Sequence, residues 1–150
     1  MTDRGVSTTL NYVLTLSIAA LLVGGLLIAG SGFVTTQRDV VIQEEMRVVG
    51  HQVASNVEQA DRLVDASDGS TTVLVNQTFP DSVARSQYDV RLDADANQLI
   101  LTSTSPEESV RVNVTTNTEL VDSSADGGEI SVEYVDADGD TDKELVIGNA

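Results

Sequence analysis

From Gly5 to Gln37 the chain carries no charged side chain, and the stretch Leu10–Val34, LNYVLTLSIAALLVGGLLIAGSGFV, is 25 residues of nearly unbroken apolar character. About 20 such residues suffice to cross a hydrocarbon core of about 30 Å. A run of this length can also be the buried helix of a soluble protein. Here the rest of the chain is too small and too polar to wrap one, with no Trp, three Tyr and two Phe in 150 residues. The reading is therefore a single membrane-inserted helix. A cleaved secretory signal is the rival, but its apolar core would be only about 7–15 residues long. Asn11, Tyr12, Thr15 and Ser17 make the first turns semi-polar, which a helix carries through internal bonding or at the interface.

Charge divides the chain in the same place. Eight Lys and Arg against 24 Asp and Glu give a net charge of -16, and Lys143 is the single lysine. Asp3 and Arg4 cancel, so the whole imbalance falls on residues 35–150. A field of that sign repels phosphate backbones, which excludes a nucleic-acid-binding module. It also opposes electrostatic docking on anionic lipid. No cysteine is present, so disulfides, thiolate metal sites and a cysteine nucleophile are excluded. Arg4 lies on one side of the span and Arg38 and Arg47 on the other, so charge alone does not orient it. The acidic remainder is expected outside the cell.

Helical periodicity continues past the span. Ile42, Met46, Val49, Val53, Val57, Ala60 and Val64 recur at steps of three and four, with Glu44, Glu45, Arg47, Gln52 and Arg62 on other faces. The spacing predicts one nearly continuous helix over residues 8–66, stopped between Asp65 and Ser70. Gly50 costs it up to about 1 kcal/mol. After Ser70 the period changes to two. Strands are predicted at residues 71–79, around Tyr88–Leu92, at Leu99–Leu101, at Val110–Val114, from Ile130 to Tyr134 and at Leu145–Ile147. The expected fold is α+β: a long N-terminal helix, transmembrane then amphipathic, packed on a small antiparallel β-sheet head. A meander of five or six strands, with one face under the helix, is the economical arrangement.

Small residues recur at a spacing of four on the span, Ala20 with Gly24 and Gly25 with Ala29. Such spacing lets a second helix approach closely. Gly and Ala are also ordinary in membrane spans, so both readings stay open.

Catalytic chemistry is sparse. His51 is the sole histidine and falls in the amphipathic helix, with no HExxH motif and no nucleophile elbow in the chain. Gly127-Gly128 lacks the downstream Gly and Lys of a phosphate loop and reads as a turn. Paired carboxylates carry no information in a chain this acidic. One local pattern stands apart: Asp136, Asp138, Asp140 and Asp142 alternate around Gly139. Calcium loops use ligands at positions 1, 3 and 5, but with glycine at 6 and a bidentate acid at 12. Here glycine is at position 4, and Ile147 would stand at 12. A polar hairpin turn is one reading and a weak calcium or sodium site the other; no further cofactor is expected. Asn76-Gln77-Thr78 and Asn113-Val114-Thr115 are N-glycosylation sequons, usable if they face the exterior.

Asp3-Arg4-Gly5-Val6-Ser7, running straight into the apolar span, resembles the class III signal of type IV pilin-like proteins. In that family a short leader ends in a basic residue and Gly, and a prepilin peptidase cuts before a retained apolar segment. The resemblance implies processing at Arg4, Gly5 and Val6, with Val6 the new N-terminus. It also implies a long helix bearing a small β-rich head. Leu10 stands at the fifth position after that cut, where bacterial pilins carry Glu. The acid excess and scarce lysine are similar to those of haloarchaeal proteins, whose carboxylate-rich surfaces stay soluble in concentrated salt.

The expected organisation is thus a leader-like segment at 1–5 and a transmembrane or filament-core helix at 6–34. An amphipathic extension at 35–66 and an acidic β-rich head at 67–150 follow. The expected role is a non-enzymatic, membrane-anchored structural or accessory subunit of a surface filament. Its partners would be membrane lipid, other pilin-like subunits and a prepilin peptidase. The alternative is a monomeric single-span envelope protein with a ligand- or ion-binding ectodomain.

Overall fold

The structure is a computed structural model that describes residues 3–67, 72–136 and 142–150, with side chains described for all of these except 3–8, 34 and 35. It resolves into two compact units, Met1–Arg38 and Asp39–Ala150. The helix α1 (Asp3–Ala66) supplies the first and opens the second. It begins earlier than residue 8 and closes where expected. The Ser67 N–H donates to the carbonyls of Leu63 and Val64 at 3.1 and 3.0 Å, which tightens the last turn.

Among the described residues eight strands follow: β1 (Leu74–Thr78), β2 (Ser82–Val83), β3 (Ser86–Asp93), β4 (Gln98–Ser103), β5 (Ser109–Asn113), β6 (Ser123–Asp126), β7 (Glu129–Val135) and β8 (Glu144–Asn149). All strand pairs are antiparallel. The single meander is corrected to two sheets. One has the order β1-β7-β8; the other has β2-β3-β4-β5, with β6 added on β3. β2 and β6 share the edge of β3 opposite β4, because β2 pairs Ser86 and Gln87 while β6 pairs Asp89 to Leu92.

The segment 119–126 joins the two sheets. On one side β6 pairs with β3. On the other, Leu120 bridges Leu145 in parallel, the Leu145 N–H donates to Glu119 O at 2.9 Å, and the Ile147 N–H donates to Ser123 Oγ at 3.0 Å.

In the second unit the seven apolar residues of the helical stripe are all buried, Ile42, Met46, Val53, Val57 and Ala60 completely. They share one core with Val90, Leu92, Leu99, Leu101 and Ile130 from the strands. Burying a side chain of this kind stabilises by about 1.5–3 kcal/mol, so neither helix stripe nor sheet face would persist alone. Gly50 lies on the buried face. A Cβ there would stand 2.8 Å from Val112 Cγ2 and 2.9 Å from Leu101 Cδ1, so its absence lets the helix seat closely on β4 and β5.

The β2–β3 hairpin turns through Ala84 and Arg85, both at positive φ, 44° and 67°. Two-residue hairpins favour such a turn, yet Gly or Asn normally occupies it. Glu45 on α1 holds the strained turn by accepting the Ala84 N–H at 2.8 Å.

Candidate functional site

The most extended surface feature is the apolar part of α1. Leu21, Leu26 and Ile28 are each more than 70% exposed. An 18-residue window reaches a mean hydropathy of 2.4 with none of it buried within the structure. One helix near the N-terminus is therefore long and apolar enough to cross a membrane. Three of its hydroxyls bond back to the helix's own carbonyls. Thr15 Oγ1 donates to Asn11 O and Ser17 Oγ to Val13 O, both at 2.8 Å, and Ser31 Oγ donates to Ile28 O at 2.9 Å. That is the arrangement lipid demands of polar groups on a span.

Ala20 and Ala29 are exposed, and a Cβ added at Gly24 or Gly25 would meet nothing within 4 Å. The small-residue face is therefore open among the described residues. Arg4, Gly5 and Val6 fall in the first turns of α1, and their side chains lie outside the described residues. Of the acidic loop, Asp136 and Asp142 are exposed, and Asp138 and Asp140 lie outside the described residues. Among the described residues no three His, Cys, Asp or Glu side chains are gathered so as to hold a metal ion. His51 is an exposed helix residue. Asn76 is exposed on β1 and Asn113 at the end of β5, where its Oδ1 accepts a bond from Gln98 Nε2 at 3.0 Å.

Two features of the head were not legible as sites. The first is a cleft of about 480 Å³ with Asp81, Asp89, Asp126, Tyr88 and Thr104 in its wall. The Gly127-Gly128 turn shapes it. A Cβ on Gly127 would stand 2.7 Å from the Tyr88 ring, and Gly128 has φ +120°, with its Cβ position 2.8 Å from Asp81 Oδ1. The Tyr88 hydroxyl donates to Pro80 O at 2.8 Å. Burial pushes the Tyr88 hydroxyl pKa up, and the negative charge of Asp81 adds to this against an opposing bond at Gly128.

The second is Asp61, buried on the head side of α1. Its carboxylate accepts the Asn117 N–H at 3.1 Å and the Thr118 N–H at 2.8 Å, while Asp65 accepts from Asn117 Nδ2 at 3.0 Å. Burial alone would raise the Asp61 pKa. The Thr118 side chain, the two backbone donors and Arg62 outweigh it and hold the carboxyl below its ordinary value. Asp61 thereby fixes the loop that leads into the segment joining the two sheets. A carboxylate at this helix position was one among many in the sequence, and only the loop brought against it marks it out.

No curated protein and no solved structure matches the chain. The model of a family of unknown function, DUF7266, matches residues 1–146, and the chain belongs to that family.

Proposed function

We propose that the protein is a non-enzymatic, pilin-like, single-span subunit of a surface filament, in a structural or accessory role. The observation that carries this reading is the use of one helix for two purposes. Its first part offers apolar side chains that stay exposed among the described residues, and its second part is core to a β-rich head. The Arg4-Gly5-Val6 start and the open Ala20, Gly24, Gly25 and Ala29 face support it further. The head lies outside the cell and the span rests in lipid or packs with its counterparts from other subunits, where small residues admit close approach. The acid excess of the head fits an exterior of high salt.

N-terminal sequencing of the mature protein, combined with fractionation, tests this. A Val6 start in a sheared surface fraction is expected, and Gly5→Trp should block processing. A Met1 start confined to membranes would overturn assembly into filaments.

The cleft walled by Asp81, Asp89 and Asp126 favours a second reading, a monomeric anchored ectodomain that holds a cationic ligand. Calcium or sodium that failed to shift the head's melting temperature would remove its ionic form.

A further inference from the structure

In an antiparallel ladder alternate residues turn their backbone N–H and C=O toward the partner strand, and the residues between turn theirs away. β1 is the terminal strand of one sheet and β5 of the other. On β1 the Tyr134 N–H donates to Val73 O at 3.0 Å and the Phe79 N–H to Gly128 O at 2.8 Å. With the register Val75↔Val132 and Gln77↔Ile130, the odd-numbered residues serve the ladder. Leu74, Asn76 and Thr78 therefore present their backbone groups to the open edge. On β5 the Ser103 N–H donates to Glu108 O at 2.9 Å and the Val114 N–H to Asn97 O at 3.0 Å, so the even-numbered residues serve β4. Ser109, Arg111 and Asn113 face the other way.

Open edges of this kind template pairing with another chain, and proteins usually blunt them with charge, proline or a covering segment. Segment 119–126 runs against β3 and β8, and among the described residues it leaves uncovered the two five-residue strands β1 and β5 and the two-residue β2. Of the six outward residues only Arg111 is charged, although the head is densely acidic. The chain has seven asparagines, and the two in sequons, Asn76 and Asn113, are the two at open-edge positions. Asn76, Thr78, Asn113 and Thr115 are all exposed. The Gln98 bond engages Asn113 through its oxygen, which leaves the amide nitrogen outside that bond.

We propose that Asn76 and Asn113 are N-glycosylated and that the two glycans cap the open edges of the two sheets. This rests on the head lying outside the cell. The donor is a saccharide carried on a lipid phosphate. A bond forms between Asn Nδ2 and C1 of the sugar, and the C1–O bond to the phosphate breaks. The electron pair leaves with the phosphate, and the amide gives up one proton. A hydrated saccharide at each edge keeps a foreign strand from the approach of about 4.8 Å that β-pairing needs.

The test uses full-length protein extracted from the membranes of the cells that make it. Mass spectrometry of the wild type should show two saccharide increments. Asn76→Gln and Asn113→Gln should each lose one, and Thr78→Val and Thr115→Val should lose the same increments with the asparagines intact. The double Asn→Gln variant should form larger species in detergent at concentrations where the wild type does not. Adding Leu74→Lys and Ser109→Lys in that background should restore dispersion. Protease added to whole cells reads the side of the membrane independently. Unmodified asparagines on a head digested from outside would overturn the proposal and leave the location standing. A head protected from protease would overturn the location, and the proposal with it. Glycosylated protein whose double variant stays dispersed would overturn the capping role.

Discussion

Residues 9–33 and residues 42–64 are carried by the same helix and treat their apolar side chains in opposite ways. In the first stretch Leu21, Leu26 and Ile28 are largely exposed; in the second Ile42, Met46, Val53 and Val57 are wholly buried. Backbone geometry does not separate them. What separates them is the interleaving of charge. Glu44, Glu45, Arg47 and Arg62 concentrate the apolar residues of the second stretch on one stripe, which a sheet can cover, and leave only Val48 and Leu63 exposed among its large apolar side chains. The first has no charged residue and is apolar nearly all round, which only lipid or several helices can cover.

Substitutions can break that contrast. Met46→Ala should cost the head about 2–5 kcal/mol in a thermal melt of the detergent-solubilised chain, and Leu22→Ala should leave that melt unchanged. Equal losses would mean that the two stretches fold as one cooperative unit. Asp61→Asn should cost about 1–3 kcal/mol at neutral pH, because two backbone donors lose a charged acceptor. The folded state holds the Asp61 carboxyl below its ordinary value of 3.8. Its contribution is therefore complete above that pH and is lost as pH falls through the folded-state value. Acid titration of the variant should accordingly show a shallower loss of stability below about pH 4 than the wild type.

Glycine sharpens the contrast at a smaller scale. Gly50→Ala gains up to about 1 kcal/mol of helix propensity, against about 1–3 kcal/mol for forcing a Cβ onto Leu101 and Val112. The melt should fall. Gly25→Ala meets open space and should not lower it. Smallest of all, replacing Ala84-Arg85 with Asn-Gly should raise the melt by about 0.4–1 kcal/mol, by relieving two positive φ values. An unchanged melt would place the cost of that turn elsewhere.

The helical stripe was readable because seven apolar residues at steps of three and four admit only one face, and all seven are buried. β3, β4 and β5 were readable for the same reason at period two: Tyr88, Val90 and Leu92 alternate with exposed or half-exposed neighbours. β6 was not, since its four residues, Ser-Ser-Ala-Asp, contain a single apolar side chain, Ala125. Missing β6 hid the split into two sheets, because β6 lies in the segment that joins them. Gly50 looked like a flaw in the helix until the strands beneath it were in place. Asp61 and the cleft were hidden by abundance, since 24 acids give no hint of which one a distant loop will meet. The apolar span is the reverse case, because its composition alone speaks.

The joining segment has a consequence for timing. Leu120, Val121 and Ser123 all bond residues of β8, so the junction between the sheets closes only when residues 145–147 arrive. The stripe from Ile42 to Val64 is synthesised first and must wait through the making of almost the whole head. An apolar surface left waiting is open to wrong partners. Chains stalled before Glu144 should be cut readily by protease within the head, and chains that carry Asn149 clear of the ribosome should resist.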